Sequence, residues 1–298
     1  MTAPRPDEET TELLVERAAH ELGLNTSGLR LLHQHATAVY LLPAADAIAR
    51  VHTGDPAAAV RSVTIAHWLT DQGFPATTPL PGSRPITHDN KRAITFWTHY
   101  PQPTPPARPD PAALGRLLRE LHRLPPPPVI LPVYRPLASL NATIATAVCL
   151  HTEDRAWLTD TAGALLVDYA ELDFPLGHGH LHGDAYPGNL LLDTTSGHWR
   201  LGDWDETAAG PRELDLANTY QGIRMGRTTA ELNRFAQAYG YDLRDWTGLP
   251  TLRAIRDLHT LGSFIRRADR GDSEAATELR RRLHVLRQGG PTRTWHGV

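Results

Sequence analysis

The stretch from Gly177 to Glu206, GHGHLHGDAYPGNLLLDTTSGHWRLGDWDE, constrains this chain more than any other. It sets His182, Asp184, Asn189, Asp203 and Asp205 in a short run broken by two apolar segments. Leu190-Leu191-Leu192 and His198-Trp199-Arg200-Leu201 predict two short strands, and Thr194 to Gly197 between them supply turn chemistry. In such a hairpin Asn189 stands where the first strand begins and Asp203 where the second ends. Antiparallel pairing brings those two ends together. Asp184 lies a few residues earlier, on a loop tightened by Pro187 and Gly188. Two carboxylates and an amide oxygen are hard ligands of the kind that suit Mg²⁺, which keeps its other positions for phosphate and water.

These are the parts of phosphoryl transfer from a nucleotide: a metal site, and an acid to receive a hydroxyl proton. The order also fits the protein-kinase pattern, an H-x-D-x4-N catalytic loop followed by a metal-binding Asp after a hairpin. His182-Gly183-Asp184 with Asn189, then Asp203-Trp204, then Glu213-Leu214-Asp215-Leu216-Ala217, together resemble the aminoglycoside phosphotransferase family. That family shares its fold with choline kinases and, distantly, with protein kinases. The resemblance implies an α+β, two-lobed protein-kinase-like fold. A small N-terminal antiparallel-sheet lobe with one main helix would grip the nucleotide, and a larger, mostly helical C-terminal lobe would follow. It implies ATP as phosphoryl donor, with GTP left open, and Mg²⁺ held by Asn189 and Asp203, with Asp205 as a further candidate ligand. Asp184 is the implied catalytic base, His182 organises its loop, and Asp215 braces that loop through its carboxylate.

Composition narrows the classes without choosing among them. The chain has 298 residues, 41% of them apolar and 21% charged, enough material for a substantial core. Its 30 basic and 33 acidic residues give a net charge of −3, which offers no electrostatic case for nucleic acid or a membrane surface. No apolar run has the length of a membrane span, and Met1 to Glu9 lacks a signal-peptide core. The single cysteine, Cys149, excludes an intramolecular disulfide and fits a reducing, cytoplasmic setting, with Cys149 as a small core residue. Monomer and homodimer both remain open.

Periodicity predicts a helix over 10–22, strands at 28–33, 38–42 and 47–52, a helix over 57–70 whose core face includes Val60, Ile65, Trp68 and Leu69, and a strand over 92–100. Residues 1–100 would form the nucleotide lobe. Pro101 to Pro111 holds six prolines in eleven residues, too stiff to continue a sheet, and is placed as the crossover. Residues 112–298 would form the catalytic and acceptor lobe. Asp110-Pro111 reads as a helix start for 112–123, and further helices are expected over 137–150, 154–172, 210–223, 228–239, 249–268 and 273–288.

Within the small lobe, the turn His33 to Ala38 stands where kinases place a Gly-rich loop, but has no glycine, and Thr37 could offer phosphate a hydroxyl. Arg50 takes the place of the kinase lysine, and its planar fork suits phosphate oxygens. The helix position expected to carry the lysine's glutamate falls near Ser62, so the partner of Arg50 is left open. The crossover residues Thr98, His99 and Tyr100 are the implied adenine-binding segment.

Two other readings compete. His178, His180, His182 and Asp184 alternate, so on one strand they would share a face, a series attractive for a zinc-dependent hydrolase. A catalytically inactive nucleotide-binding protein of the same fold would also explain the missing glycines and helix acid. The acceptor itself is expected to be a small molecule with a hydroxyl: an aminoglycoside or other antibiotic, an amino-alcohol or a sugar. An acidic pocket using Asp205, Glu206, Glu213 and the acids near Glu171 and Asp173 would favour a polycation, and the role would be resistance or metabolism.

Overall fold

The computed structural model describes residues 10–34, 37–88, 91–288 and 295. The helix expected over 10–22 could be capped by Thr10 or Thr11; Thr10 does so, accepting a hydrogen bond from Leu13 N at the start of α1 (Thr11–Glu21). Three strands follow, β1 (Arg30–Gln34), β2 (Ala38–Leu42) and β3 (Ala47–Thr53), with Asp46 turning the chain in a left-handed conformation at φ 47°. Asp55 caps α2 (Pro56–Asp71), and β4 (Ile86–His88) and β5 (Arg92–Thr98) complete an antiparallel sheet in the order β1-β2-β3-β5-β4. The register aligns Tyr40 with Ala49 and Ala49 with Phe96. These residues, with Ala38, Leu42, Val51 and Ile94, form one apolar face, and Val15, Ala18 and Ala19 of α1 pack in the same cluster. Side chains alternate along each strand, so the other face is free to meet α2. Its buried stripe is Ala59, Ser62, Val63, Ile65, Ala66, Trp68 and Leu69. Val60, expected inside, is 44% exposed; the helix is rotated so that Ala59 and Val63 take its place. Strand β4, hidden in a Pro-rich approach, was not expected.

From Asp110, whose side chain accepts from Ala112 N, α3 (Pro111–Leu121) runs as predicted. Next come α4 (Ala138–Thr146) and α5 (Thr152–Ala170). The expected helix over 137–150 stops early. Asp269 takes the amides of Val148 and Cys149 at 3.0 and 2.7 Å, and Arg155 takes the carbonyls of Ile144 and Ala147, so the chain unwinds onto side-chain partners. Cys149 is half-buried there, and burial together with the Asp269 carboxylate pushes its thiol up to about 11, which keeps it protonated and unreactive at neutral pH.

Then β6 (His178–Leu181), β7 (Leu190–Asp193), β8 (His198–Leu201) and β9 (Ala208–Pro211) follow; β7 pairs with β8, and β6 with β9. Gly210-Pro211, expected to begin a helix, instead ends β9, where proline's missing N–H costs nothing. The helices α6 (Glu213–Gln221), α7 (Thr229–Tyr239), α8 (Leu249–His259), α9 (Leu261–Asp269) and α10 (Ser273–Arg287) complete the chain. The single helix expected over 249–268 is two, divided at Thr260. Gly115 lets α3 approach α7 closely: a Cβ there would lie 2.6 Å from Phe235 O.

Contacts divide the chain into two units. One takes residues up to Arg108 together with Pro127–Ile130 and Asn189–Glu206; the other takes Pro109–Pro126, Leu131–Gly188 and everything from Thr207. The β7–β8 hairpin is therefore built into the unit of the five-stranded sheet, and β6 with the loop that follows it into the helical unit. Among the described residues, no helix is long and apolar enough to cross a membrane.

Candidate active site

In the sheet unit, the hairpin is the one the sequence predicts. Leu190 pairs with Leu201 and Asp193 with His198, and the turn closes through Gly197 at φ 71°. Gly202 N donates to Asn189 O at 2.9 Å, so Asn189 and the Gly202-Asp203 step sit at the same end. The hairpin is fixed in place on both edges. Leu201 pairs in parallel with Ala76, through Thr77 N to Leu201 O at 2.8 Å and Leu201 N to Pro75 O at 2.9 Å. Gln102, just past β5, donates to Leu192 O and accepts from Leu192 N, both at 3.1 Å, and also donates to Tyr100 O at 2.7 Å. Trp204 is buried and meets Phe74 edge-on at 5.9 Å between ring centroids. Asp203 adopts φ 65°, which turns the chain between Gly202 and Trp204.

This arrangement answers the question that the sequence leaves open about Arg50. Its Nη2 donates to Asp203 Oδ1 at 2.7 Å and to Asp205 Oδ2 at 2.9 Å. The two acids that flank Trp204 thus hold the strand cation in place of a helix glutamate. Burial works against the Arg50 charge, but the Asp205 and Asp203 carboxylates outweigh it and raise its pKa. His52, two residues along β3, lies 3.5 Å from Asp205 Oδ2 and shares a 2.9 Å hydrogen bond with Thr95 Oγ1. Burial holds it below the usual histidine range, against the pull of Asp205, so it is neutral at pH 7. Ser62, where the helix acid was expected, is buried and its hydroxyl has no partner among the described residues.

Asp205 Oδ1 is buried and likewise unpartnered among the described residues. Asp203 and Asp205, joined through Arg50, and Asn189, at the same end of the hairpin, carry oxygen donors of the chemical type Mg²⁺ prefers. Thr37 lies in a half-buried bend before β2, while its neighbours His35 and Ala36 fall outside the described residues. In the crossover, Thr98 N donates to Thr78 O at 2.9 Å and His99 N to Asp46 O at 3.2 Å. The N–H of Tyr100 has no partner among the described residues, which makes it the one of the three amides free to meet a ligand.

The helical unit holds the loop after β6. Asp215, wholly buried on α6, accepts from His182 N through Oδ2 and from Gly183 N through Oδ1, both at 2.8 Å. Oδ2 also meets His122 Nε2 at 3.0 Å, and His122 Nδ1 meets Tyr239 Oη at 2.9 Å. Burial alone would raise the Asp215 pKa; the hydrogen bond and charge of His122, with the His182 amide, outweigh it and hold the carboxyl below its usual range. His182 is fully buried, and its Nδ1 accepts from Asp184 N at 3.2 Å. It shapes the loop from inside. Asp184 is 35% exposed at its side chain and accepts from Arg256 Nη2 at 2.8 Å.

The remaining histidines of the run go elsewhere. His180 is buried against Leu121 O at 2.8 Å, and exposed His178 meets the Phe174 ring edge-on. Among the described residues no group of three or more His, Cys, Asp or Glu is arranged to hold a metal. The zinc series fails because the strand ends at Leu181, and the alternation that aligned the three rings ends with it.

Sequence reading missed His122, Arg256 and Asn218. His122 follows the apolar stripe Leu114, Leu118 and Leu121 of α3, and Arg256 stands on the stripe of Leu249, Leu252 and Ile255 in α8. A polar residue on an apolar stripe is the signal that was available.

The family model described as the phosphotransferase enzyme family matches residues 30–255, well over half of the chain. Among solved structures, the chain is similar to the amicoumacin kinase hAmiN in complex with AMP-PNP, Ca²⁺ and Ami, with a TM-score of 0.70 and 13% identity over 97% of this chain and 96% of that one. It is also similar to the spectinomycin phosphotransferase APH(9)-Ia in complex with ADP and spectinomycin (TM-score 0.62, 15% identity, 97% of each chain). The choline kinase LicA from Streptococcus pneumoniae gives a TM-score of 0.62 at 11% identity, over 92% of this chain and 98% of that one. At such identities the likeness shows a shared kinase-like α+β fold. No curated protein matches the chain in sequence.

Proposed function

Since the chain belongs to the phosphotransferase enzyme family, we propose that it transfers the γ-phosphoryl group of ATP to a hydroxyl of a small molecule. The lobe assignment proposed is residues 1–100 for gripping nucleotide, 101–111 for the crossover and 112–298 for catalysis and the acceptor. Asn189 and Asp203 hold Mg²⁺, with Asp205 Oδ1 as a further ligand. Held there, the ion would supply charge neutralisation to the phosphates. Arg50 contacts the phosphates nearer the adenosine, Thr37 offers its hydroxyl, and the Tyr100 N–H faces the adenine edge within the segment Thr98, His99 and Tyr100. Asp184 accepts a hydrogen bond from the acceptor hydroxyl, aligns it and takes its proton. His182 keeps Asp184 in register by accepting the Asp184 amide hydrogen. Positioning and electrostatics carry such a reaction, because little covalent work is asked of the protein.

The observation that most supports an active enzyme is the double pairing of Arg50 with Asp203 and Asp205. It anchors the strand cation that the absent helix acid put in question, at the position the reading gives to phosphate contact. The test is a coupled assay of ATP consumption across aminoglycosides, other antibiotics, amino-alcohols and sugars, with and without Mg²⁺. Asp184→Ala is expected to abolish transfer while ATP binding survives; near-normal turnover by that variant would sink the mechanism. Tight ATP binding with no acceptor consumed would favour the inactive reading.

A further inference from the structure

Two polar atoms beside Asp184 are buried without partners among the described residues: Arg256 Nε and Asn218 Oδ1. Both belong to side chains that already touch Asp184 Oδ1, Arg256 through Nη2 at 2.8 Å and Asn218 through Nδ2 at 3.4 Å. Both residues are more than nine-tenths buried, at 8% and 6% exposure. The amide of Asn218 can point only one way, since its NH₂ must face the carboxylate, and this turns its oxygen aside. A buried donor or acceptor left unmatched is costly, and native proteins seldom leave one without a reason. Here a donor and an acceptor are left over on two side chains that touch the same carboxylate oxygen. The complement they lack is an acceptor oxygen for the guanidinium and a hydroxyl for the amide.

The charge of the neighbourhood decides what kind of oxygen that is. Asp184 is already matched by Arg256 at 2.8 Å, and Arg266 is a further cation that acts on the neighbouring His259. Two of the acids that would draw a polycation are committed: Glu213 is wholly buried on the Leu176 amide at 2.6 Å, and Asp205 is held by Arg50. We infer that Arg256 and Asn218 read the acceptor beside its reacting hydroxyl, and that the acceptor is an anionic hydroxy compound, with a carboxylate-like oxygen group for Arg256 and a second hydroxyl for Asn218. This rests on the reading of Asp184 as the group that takes the hydroxyl proton. A fork that holds Asp184 by one N–H still has donors for an anion, and charge-assisted bonds of this kind are strong and directional.

The test uses the full chain with MgATP and acceptors matched in shape but not in charge: glycerate, glycerol and serinol, and gluconate, glucose and glucosamine. The anionic member of each set is expected to show at least a tenfold higher kcat/KM than the neutral one, and the cationic member the lowest. Arg256→Gln should reduce the anionic-to-neutral preference by about ten- to a hundredfold, the scale of one charge-assisted hydrogen bond. Disturbing Asp184 alone would lower both members together and leave that ratio intact, so an unchanged ratio overturns the inference. So does a cationic member that is the best substrate of its set. If no member is turned over, calorimetric titration of glycerate and gluconate decides: saturable binding weakened at least tenfold by Arg256→Gln supports the inference, and its absence refutes it. Should Arg256→Gln fail to fold, Arg256→Lys keeps the charge but not the fork, and is expected to lose affinity for the anionic member selectively; unchanged affinity refutes the inference. Failure of the underlying reading is distinct: Asp184→Asn would then transfer phosphate to every acceptor as the parent chain does.

Discussion

Replacing Asp215 tests how the catalytic loop is held. The carboxylate is wholly buried and receives three donors: the amides of His182 and Gly183 at 2.8 Å each, and His122 Nε2 at 3.0 Å. Asp215→Ala strands all three. Each unmatched buried donor costs about 1–3 kcal/mol, so a loss of about 4–6 kcal/mol is expected after partial relaxation. That is a large share of the ~5–15 kcal/mol available to a domain. Asp215→Asn is subtler. One carboxylate oxygen serves Gly183 N, and the other serves both His182 N and His122. Whichever way the new amide turns, its NH₂ opposes a backbone N–H, at an expected cost of about 2–3 kcal/mol. Urea denaturation at pH 7, followed by tryptophan fluorescence, measures both. None of the three donors belongs to the unit that carries Arg50, so kcat should fall for Asp215→Asn while the KM for ATP is retained. A loss under about 1 kcal/mol for Asp215→Ala, or an unchanged kcat for Asp215→Asn, would refute the argument that this carboxylate fixes the loop.

Other perturbations follow from the same geometry. His259 is pushed down to about 4 by burial and by the charges of Arg256 and Arg266, with Asp184 opposing. The folded state therefore keeps it neutral while the unfolded chain, near the ordinary 6.5, takes up a proton. Its contribution to stability is full above pH 6.5 and declines as pH falls toward 4, by about 3 kcal/mol at most. Denaturation at pH 7 and pH 5 should show this loss, and His259→Gln should flatten it. Arg50→Gln is expected to raise the KM for ATP at least about tenfold, the worth of a charge-assisted hydrogen bond; an unchanged KM would remove Arg50 from the phosphate site. Gly115→Ala ought to gain helix propensity but meets Phe235 O at 2.6 Å, so a net loss of about 1–3 kcal/mol is expected by urea titration. Chelation of divalent ions should stop transfer, with activity restored by Mg²⁺ and not by Zn²⁺.

The sequence by itself determined whatever depends on neighbours along the chain. Thr10 and Asp110-Pro111 mark helix starts because an N-cap acts on amides two or three residues away. The β7–β8 hairpin was legible because the turn residues and the alternation around them are local, and Asn189 and Asp203 come to one end of it by antiparallel pairing alone. The order of the three motifs carried the family. Tertiary structure decided what depends on partners far apart in the chain. It chose Asp203 and Asp205 for Arg50 across about 150 positions, gave Arg256 to Asp184 across 72, and set His122 beneath Asp215 across 93. It also turned Val60 outward, divided the last long helical pattern at Thr260 and scattered the three alternating histidines. The physical reason is common to all of these. An ion pair or a buried hydrogen bond needs a complement at about 3 Å, many residues could supply it, and only the packed chain brings one of them there.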